Sequence, residues 1–106
     1  MDERTVIQSL AALAQQHRLR LFRLLVEAGP GGLAAGAIAK TLDMPPSSLT
    51  FHLNMLREAG LVDQRRDGRS LVYTAAFGAM NALVGYLTEN CCEGAECAPS
   101  EQGDRP

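Results

Sequence analysis

Between Ala34 and Tyr73 the chain sets three local signals in an order that few folds accommodate. Ala34 to Leu42 reads as a short helix through Ile38, Ala39 and Leu42, and Pro45-Pro46 then interrupts it. A new helix runs from about Pro46 to Ala59, with Leu49, Leu53 and Leu56 on one face. Pro46 suits the first turn, where a missing N–H costs nothing, and Gly60 suits the C-terminal stop. Directly behind it, Asp67-Gly68 separates Leu61 to Arg66 from Arg69 to Thr74, and an Asp-Gly turn between β-prone runs predicts a hairpin.

Arg65, Arg66 and Arg69 crowd the tip of that hairpin. Charged residues also discourage edge-to-edge strand pairing. Behind a helix pair, however, a basic-tipped hairpin has the form of a winged helix-turn-helix, mainly α with a small β-hairpin, whose wing touches phosphate or the minor groove. Upstream, Val6, Leu10, Leu13 and Ala14 repeat at helical spacing, and Leu21, Leu24, Leu25 and Ala28 continue on a second helix that stops at Gly29-Pro30-Gly31-Gly32. A last helix, roughly Ala75 to Asn90, carries Met80, Leu83, Val84 and Leu87 as an apolar stripe. The stripes of the first and last helices exceed what one small core absorbs, so they predict a homodimer through those two helices. With two-fold symmetry, its recognition helices lie about 34 Å apart and read an inverted repeat in double-stranded operator DNA.

The net charge of −2 hides a separation along the chain. From His17 to Tyr73 eight basic residues oppose five acidic ones, whereas Glu89, Glu93, Glu96, Glu101 and Asp104 near the end oppose only Arg105. On the helix from Pro46, inward leucines turn positions 47, 50, 51 and 54 outward at the end that enters a major groove. Ser47, Ser48 and Thr50 can hydrogen-bond phosphate or base edges, and Phe51 either packs on a thymine methyl or is an ordinary exposed aromatic. His52, beside the leucine face, reads as a partly buried histidine rather than a metal ligand, since no second histidine, aspartate or cysteine lies one turn away.

The run Leu56-Arg57-Glu58-Ala59-Gly60-Leu61-Val62, then Arg65-Arg66-Asp67-Gly68-Arg69 and Val72-Tyr73, resembles the hallmark of the ArsR/SmtB family of metal-responsive winged-helix repressors. His17-Arg18-Leu19-Arg20-Leu21-Phe22 is similar to that family's second-helix opening, and Ser47-Ser48-Leu49-Thr50-Phe51-His52-Leu53 to its recognition helix. The likeness covers about residues 5 to 90. It implies four helices, a two-stranded wing and a fifth helix, a homodimer through the first and last helices, and operator DNA as partner. Residues 1–90 are then the DNA-binding and dimerisation domain, and 91–106 a cysteine-containing acidic tail.

Family members place effector sites at different positions. The helix-three cysteine motif would fall near Ala34, Gly36 and Ala39, none of which can ligate, and the last-helix zinc site lacks its acids and histidines between Phe77 and Leu87. Cys91, Cys92 and Cys97 remain, resembling the C-terminal three-cysteine arrangement of a subgroup of arsenite-responsive repressors. Thiolates select soft ions. Adjacent helical positions diverge by about 100°, so a site using both Cys91 and Cys92 lies past the helix end. Trivalent arsenic, as arsenite, or antimony exchanges hydroxyls for thiols without accumulating charge. Zn²⁺ on three thiolates would carry −1 beside Glu89, Glu93 and Glu96 and a helix C-terminus. Zn²⁺, Cd²⁺ or Pb²⁺ with a carboxylate ligand, and thiol-redox sensing, stand as alternatives for the same fold.

Several classes fall away. A lone His52, no paired carboxylates in a cleft and no phosphate-cradling glycine motif leave no catalytic set, so no enzyme is expected. No apolar run reaches the ~18 residues of a membrane span, and the charged Met1 to Arg4 is not followed by a signal-type apolar block. A cytoplasmic location follows as the expectation, where an odd cysteine count favours thiols over a disulfide framework.

Overall fold

A computed structural model of the chain describes residues 1–94. Helix α1 (Glu3–Leu13) starts at Asp2, whose carboxylate accepts the Thr5 backbone N–H at 2.9 Å. Helix α2 (Gln16–Ala28) starts at Gln15, whose side-chain oxygen accepts the Arg18 N–H at 2.9 Å. A 3-10 turn (Gly29–Gly31) and a two-residue strand β1 (Leu33–Ala34) lead into α3 (Ala35–Leu42), which ends on Asp43 in the left-handed conformation. Helix α4 (Pro46–Glu58) opens with Pro46 in its first turn and gives way at Gly60, φ +78°. Strands β2 (Val62–Asp67) and β3 (Ser70–Ala75) form the wing, followed by α5 (Phe77–Leu87) and a short 3-10 turn (Cys91–Gly94). None of the helices is long and apolar enough to cross a membrane among the described residues.

The winged helix-turn-helix is as expected, with three differences of detail. The sheet has three antiparallel strands in the order β1-β3-β2 rather than two, because Leu33 and Ala34 pair with Tyr73 and Val72. The pairing of Asp67 with Ser70 places Gly68-Arg69, not Asp67-Gly68, at the centre of the turn, with Gly68 taking the positive φ of the first central position. The last helix is shorter than Ala75 to Asn90. Ala75 pairs with Val62 in the sheet, and at the other end the Thr88 hydroxyl donates to the Val84 carbonyl at 2.8 Å as the helix finishes.

The core lies where α2, α3 and α4 converge above the sheet. Leu21, Leu25, Ile38, Leu49, Leu53, Leu56 and Leu61 are essentially inaccessible, and Tyr73 and Ala75 close the cluster from β3. Each such leucine contributes roughly 1.5–3 kcal/mol on burial. Helix α1 packs against α2, α4 and α5. The expected apolar stripes of the terminal helices split: Val6 and Leu83 are buried within the chain, while Ile7, Leu10, Val84 and Leu87 are 58, 41, 54 and 57% exposed.

Gly32 fixes the approach of the first loop to the sheet. It has φ +72°, and a Cβ there would stand 2.5 Å from the Tyr73 carbonyl oxygen and 2.6 Å from the Thr74 methyl. Gly36, in α3, has nothing within 4 Å of the same position. Gly32→Ala is therefore expected to cost about 3 kcal/mol or more, from the positive φ and the backbone clash together. Gly36→Ala is expected to add about 0.5–1 kcal/mol. Urea unfolding followed by circular dichroism checks both, and equal effects at the two sites would contradict the contact.

Candidate nucleic-acid interface and thiol site

Because Leu49, Leu53 and Leu56 face inward, α4 presents Ser47, Thr50, Phe51 and Asn54 to solvent. Ser48 is half-buried on the flank of the same helix. Phe51 is 57% exposed and meets His52 edge-on, ring centroids 5.3 Å apart. Sequence reading placed Asn54 on the outward face without assigning it a role. Here its side-chain oxygen accepts from Arg57 at 3.4 Å, and it shares the exposed ridge with Thr50 and Ser47. Hydroxyls, an amide and one aromatic ring form a surface that suits base edges and phosphate.

The three wing arginines do not occupy equivalent positions. Arg65 stands opposite Val72 and Arg66 opposite Leu71, so the pleat directs them to opposite faces. Arg65 turns back and donates to the Gly31 carbonyl at 3.0 Å, which ties β2 to the loop after α2. Arg66 and Arg69 are exposed at the tip and have no hydrogen-bond or ion-pair partner among the described residues. The tip therefore carries two unengaged guanidinium groups, and the third braces the wing.

His52 is half-buried, as expected, but its surroundings hold a group that sequence spacing did not reveal. His17, from α2, faces it with ring centroids 5.5 Å apart and planes 35° from parallel. Arg18 links three helices: its Nε donates to the Ala12 carbonyl at 2.6 Å, and its Nη1 lies 3.4 Å from His52 Nδ1. That contact leaves Nδ1 as the acceptor of a neutral ring. Burial first, then the positive charge of Arg18 and the neighbouring His17, hold the His52 pKa below the ordinary histidine value.

Cys91 and Cys92 follow the end of α5 by a few residues. Asn90, Cys92 and Glu93 all take positive φ, and this reversal brings the Cys91 and Cys92 sulfurs to 3.6 Å. An intact helix would have pointed them apart. Both residues are exposed, with Glu89 and Glu93 exposed beside them. Cys97 lies outside the described residues. Among the described residues no group of three or more histidine, cysteine, aspartate or glutamate side chains is placed to hold a metal ion. Two sulfurs on one ion at bonds of about 2.3 Å stand roughly 3.3–3.8 Å apart for angles of 90–110°, and the observed separation fits.

Residues 13–65 match the helix-turn-helix domain family. An HTH-type transcriptional regulator of Escherichia coli strain K12, YgaV, is 30% identical over 79 residues, 74% of this chain and 80% of the relative. A Halobacterium salinarum protein described as a candidate arsenical resistance operon repressor is 38% identical over 75 residues, 71% of this chain and 57% of its own. Among solved structures, an ArsR-like transcriptional regulator from Rhodococcus sp. RHA1 superposes with TM-score 0.73 at 26% identity, covering 84% of this chain and 81% of that one. A homodimeric winged helix-turn-helix DNA-binding domain from Mycobacterium bovis gives 0.65 at 27% identity, covering 93 and 97%.

The wing geometry separates the arginines experimentally. Arg66→Ala and Arg69→Ala are each expected to weaken duplex binding and to lower the slope of log affinity against log salt by about 0.9, one phosphate contact apiece. Arg65→Ala is expected to act on stability, through the lost Gly31 bond, by about 1 kcal/mol. Anisotropy titrations at several salt concentrations, paired with thermal melts, read both quantities; a full phosphate's slope lost with Arg65→Ala at unchanged stability would reassign that side chain.

Proposed function

The chain belongs to the ArsR-type helix-turn-helix transcriptional regulators, a family of DNA-binding proteins rather than enzymes, and from that premise we propose that it is a metalloid-responsive repressor. In this reading the effector-free protein occupies an inverted-repeat operator as a homodimer. Trivalent arsenic, with antimony as a second inducer, is captured by Cys91, Cys92 and Cys97 and releases the DNA. The observation that carries the effector half is the 3.6 Å separation of the Cys91 and Cys92 sulfurs just beyond α5, within the span that one thiophilic ion requires. The name of the Halobacterium relative adds support of the same kind.

Charge favours the metalloid over a dication. Arsenite is a neutral hydroxide, and three thiols displace its three hydroxyls as three waters, leaving a neutral product. Zn²⁺ on three thiolates would leave −1 beside the exposed Glu89 and Glu93. Those acids and the helix C-terminus equally disfavour a reactive thiolate, which weighs against peroxide sensing. The dimer reading rests on the four exposed apolar residues of α1 and α5, and on the homodimeric state named for the Mycobacterium bovis domain. Since α5 would lie in that dimer and also ends beside the cysteines, thiol capture reorders one end of the element that sets the spacing of the two α4 helices.

Two tests address the two halves separately. On a duplex selected from a random pool with the effector-free protein, arsenite is expected to weaken binding about 5–150-fold. Cys92→Ser and Cys97→Ser should stay bound. Release by Zn²⁺ but not arsenite, release by peroxide without any ion, or release of the serine variants as readily as the parent would each sink the arsenic assignment. For the dimer, Leu10→Glu and Val84→Glu are expected to shift sedimentation from dimer to monomer, because each places a charge in the buried centre of the proposed interface. A dimer that persists in both variants places the interface elsewhere.

A further inference from the structure

The chain has two histidines, and both stand in one place beside the recognition helix. Apart from thiols and the α-amino group, no other side chain titrates near neutrality. His17 and His52 are the two imidazoles that the fold brings face to face. Together with Asp43, Pro45 and Ser48 they line a cavity of about 130 Å³ at the bend between α3 and α4. Ser48 and His52 lie one turn apart on the flank of α4, between its buried leucines and its exposed ridge. When such a helix enters a major groove, the phosphate backbone passes along a flank.

The charges around the pair select the ligand class. Arg18 from α2 faces His52, and Asp43 at the end of α3 lines the cavity without a hydrogen bond or ion pair to either ring among the described residues. Ser48 from α4 adds a hydroxyl. With both imidazoles protonated, they and the Arg18 guanidinium against His52 set three positive charges against the one carboxylate of Asp43, and an anion supplies the missing countercharge. We propose that His17, His52 and Ser48 seat one phosphodiester of bound duplex DNA and that this contact takes up a proton, so the protein holds DNA more tightly as pH falls.

The sign follows from linkage. A phosphate stabilises the imidazolium, so the bound state holds more protons than the unbound one, and affinity rises on acidification until both states are protonated. The position of His52 below its ordinary pKa means that this ring is neutral in the unbound protein near pH 7, which leaves the proton to be gained on binding. Stabilising one imidazolium by a single pKa unit corresponds to about tenfold in affinity.

This inference rests on the DNA-binding reading, and the experiment separates the two. Binding of a mixed-sequence duplex is followed by anisotropy between about pH 6 and 7.5 for the wild type, His17→Gln and Asp43→Asn. The wild type is expected to gain about three- to fivefold between pH 7.5 and 6, part of the tenfold that a one-unit shift gives over a wider range. His17→Gln should lose part of that gain and up to about 0.9 of the salt slope. Asp43→Asn, tolerated in the left-handed conformation, should bind more tightly because a carboxylate no longer opposes the phosphate. In NMR, both imidazole titrations should move to higher pH on adding duplex. Wild-type binding that is flat with pH, a His17→Gln variant that keeps the wild-type profile, or imidazole titrations unmoved by duplex would overturn the seat and leave DNA binding intact. Displacement of the duplex by inorganic phosphate at matched ionic strength would assign the seat to a small anion instead. No binding to any duplex at any pH would sink the DNA reading itself.

Discussion

The apolar seam between α2 and α4 governs the rest of this molecule. Leu21 and Leu25 on one side and Leu49, Leu53 and Leu56 on the other are all essentially removed from water. Their spacing on α4 decides which residues remain outside. Once positions 49, 53 and 56 face in, Ser47, Thr50 and Asn54 have to face out, so the exposed polar face of α4 is a by-product of core packing. Arg18 extends the same constraint: by holding the Ala12 carbonyl and approaching His52, it relates the end of α1 to the seam by polar contacts.

How much of this was legible in the linear chain depended on the range of each interaction. Pro46, Gly60 and the Asp67-Gly68 neighbourhood act within a few residues, and the helices and hairpin they delimit appear within a residue or two of expectation. Strand β1 was not legible, because Leu33 and Ala34 carry no pattern of their own and become a strand only against Tyr73 and Val72. The same reason hid the histidine pair: a search for partners one turn from His52 could not find His17, which arrives on another helix. Arg65 shows the limit from the other direction, since composition grouped it with Arg66 and Arg69 while the pleat and the Gly31 carbonyl set it apart.

Polar chemistry is distributed at opposite ends of the chain's elements. The exposed polar ridge and the histidine pair sit on α4 and the start of α2, with neutral or cationic groups predominating, whereas the cysteines follow α5 among glutamates. Helices α1 and α5 carry the exposed apolar residues Ile7, Leu10, Val84 and Leu87. If the thiols hold the effector as proposed, its influence reaches α4 through the packing of α5 on α1 and of α1 on α2 and α4. Such a route favours a mechanical response, a change in helix placement, over electrostatic competition at the DNA surface.

The seat of the wing on the first loop has a consequence for how its tip can vary. Gly32 lets the loop touch the Tyr73 carbonyl directly, and Arg65 ties the neighbouring Gly31 from the other strand, so the arm is held at its root by backbone contacts. Nothing at its end takes part in that hold. Residues 66, 68 and 69 are thus a detachable fingertip on a fixed forearm: the reach of the wing stays constant while the chemistry it delivers is free to be rewritten.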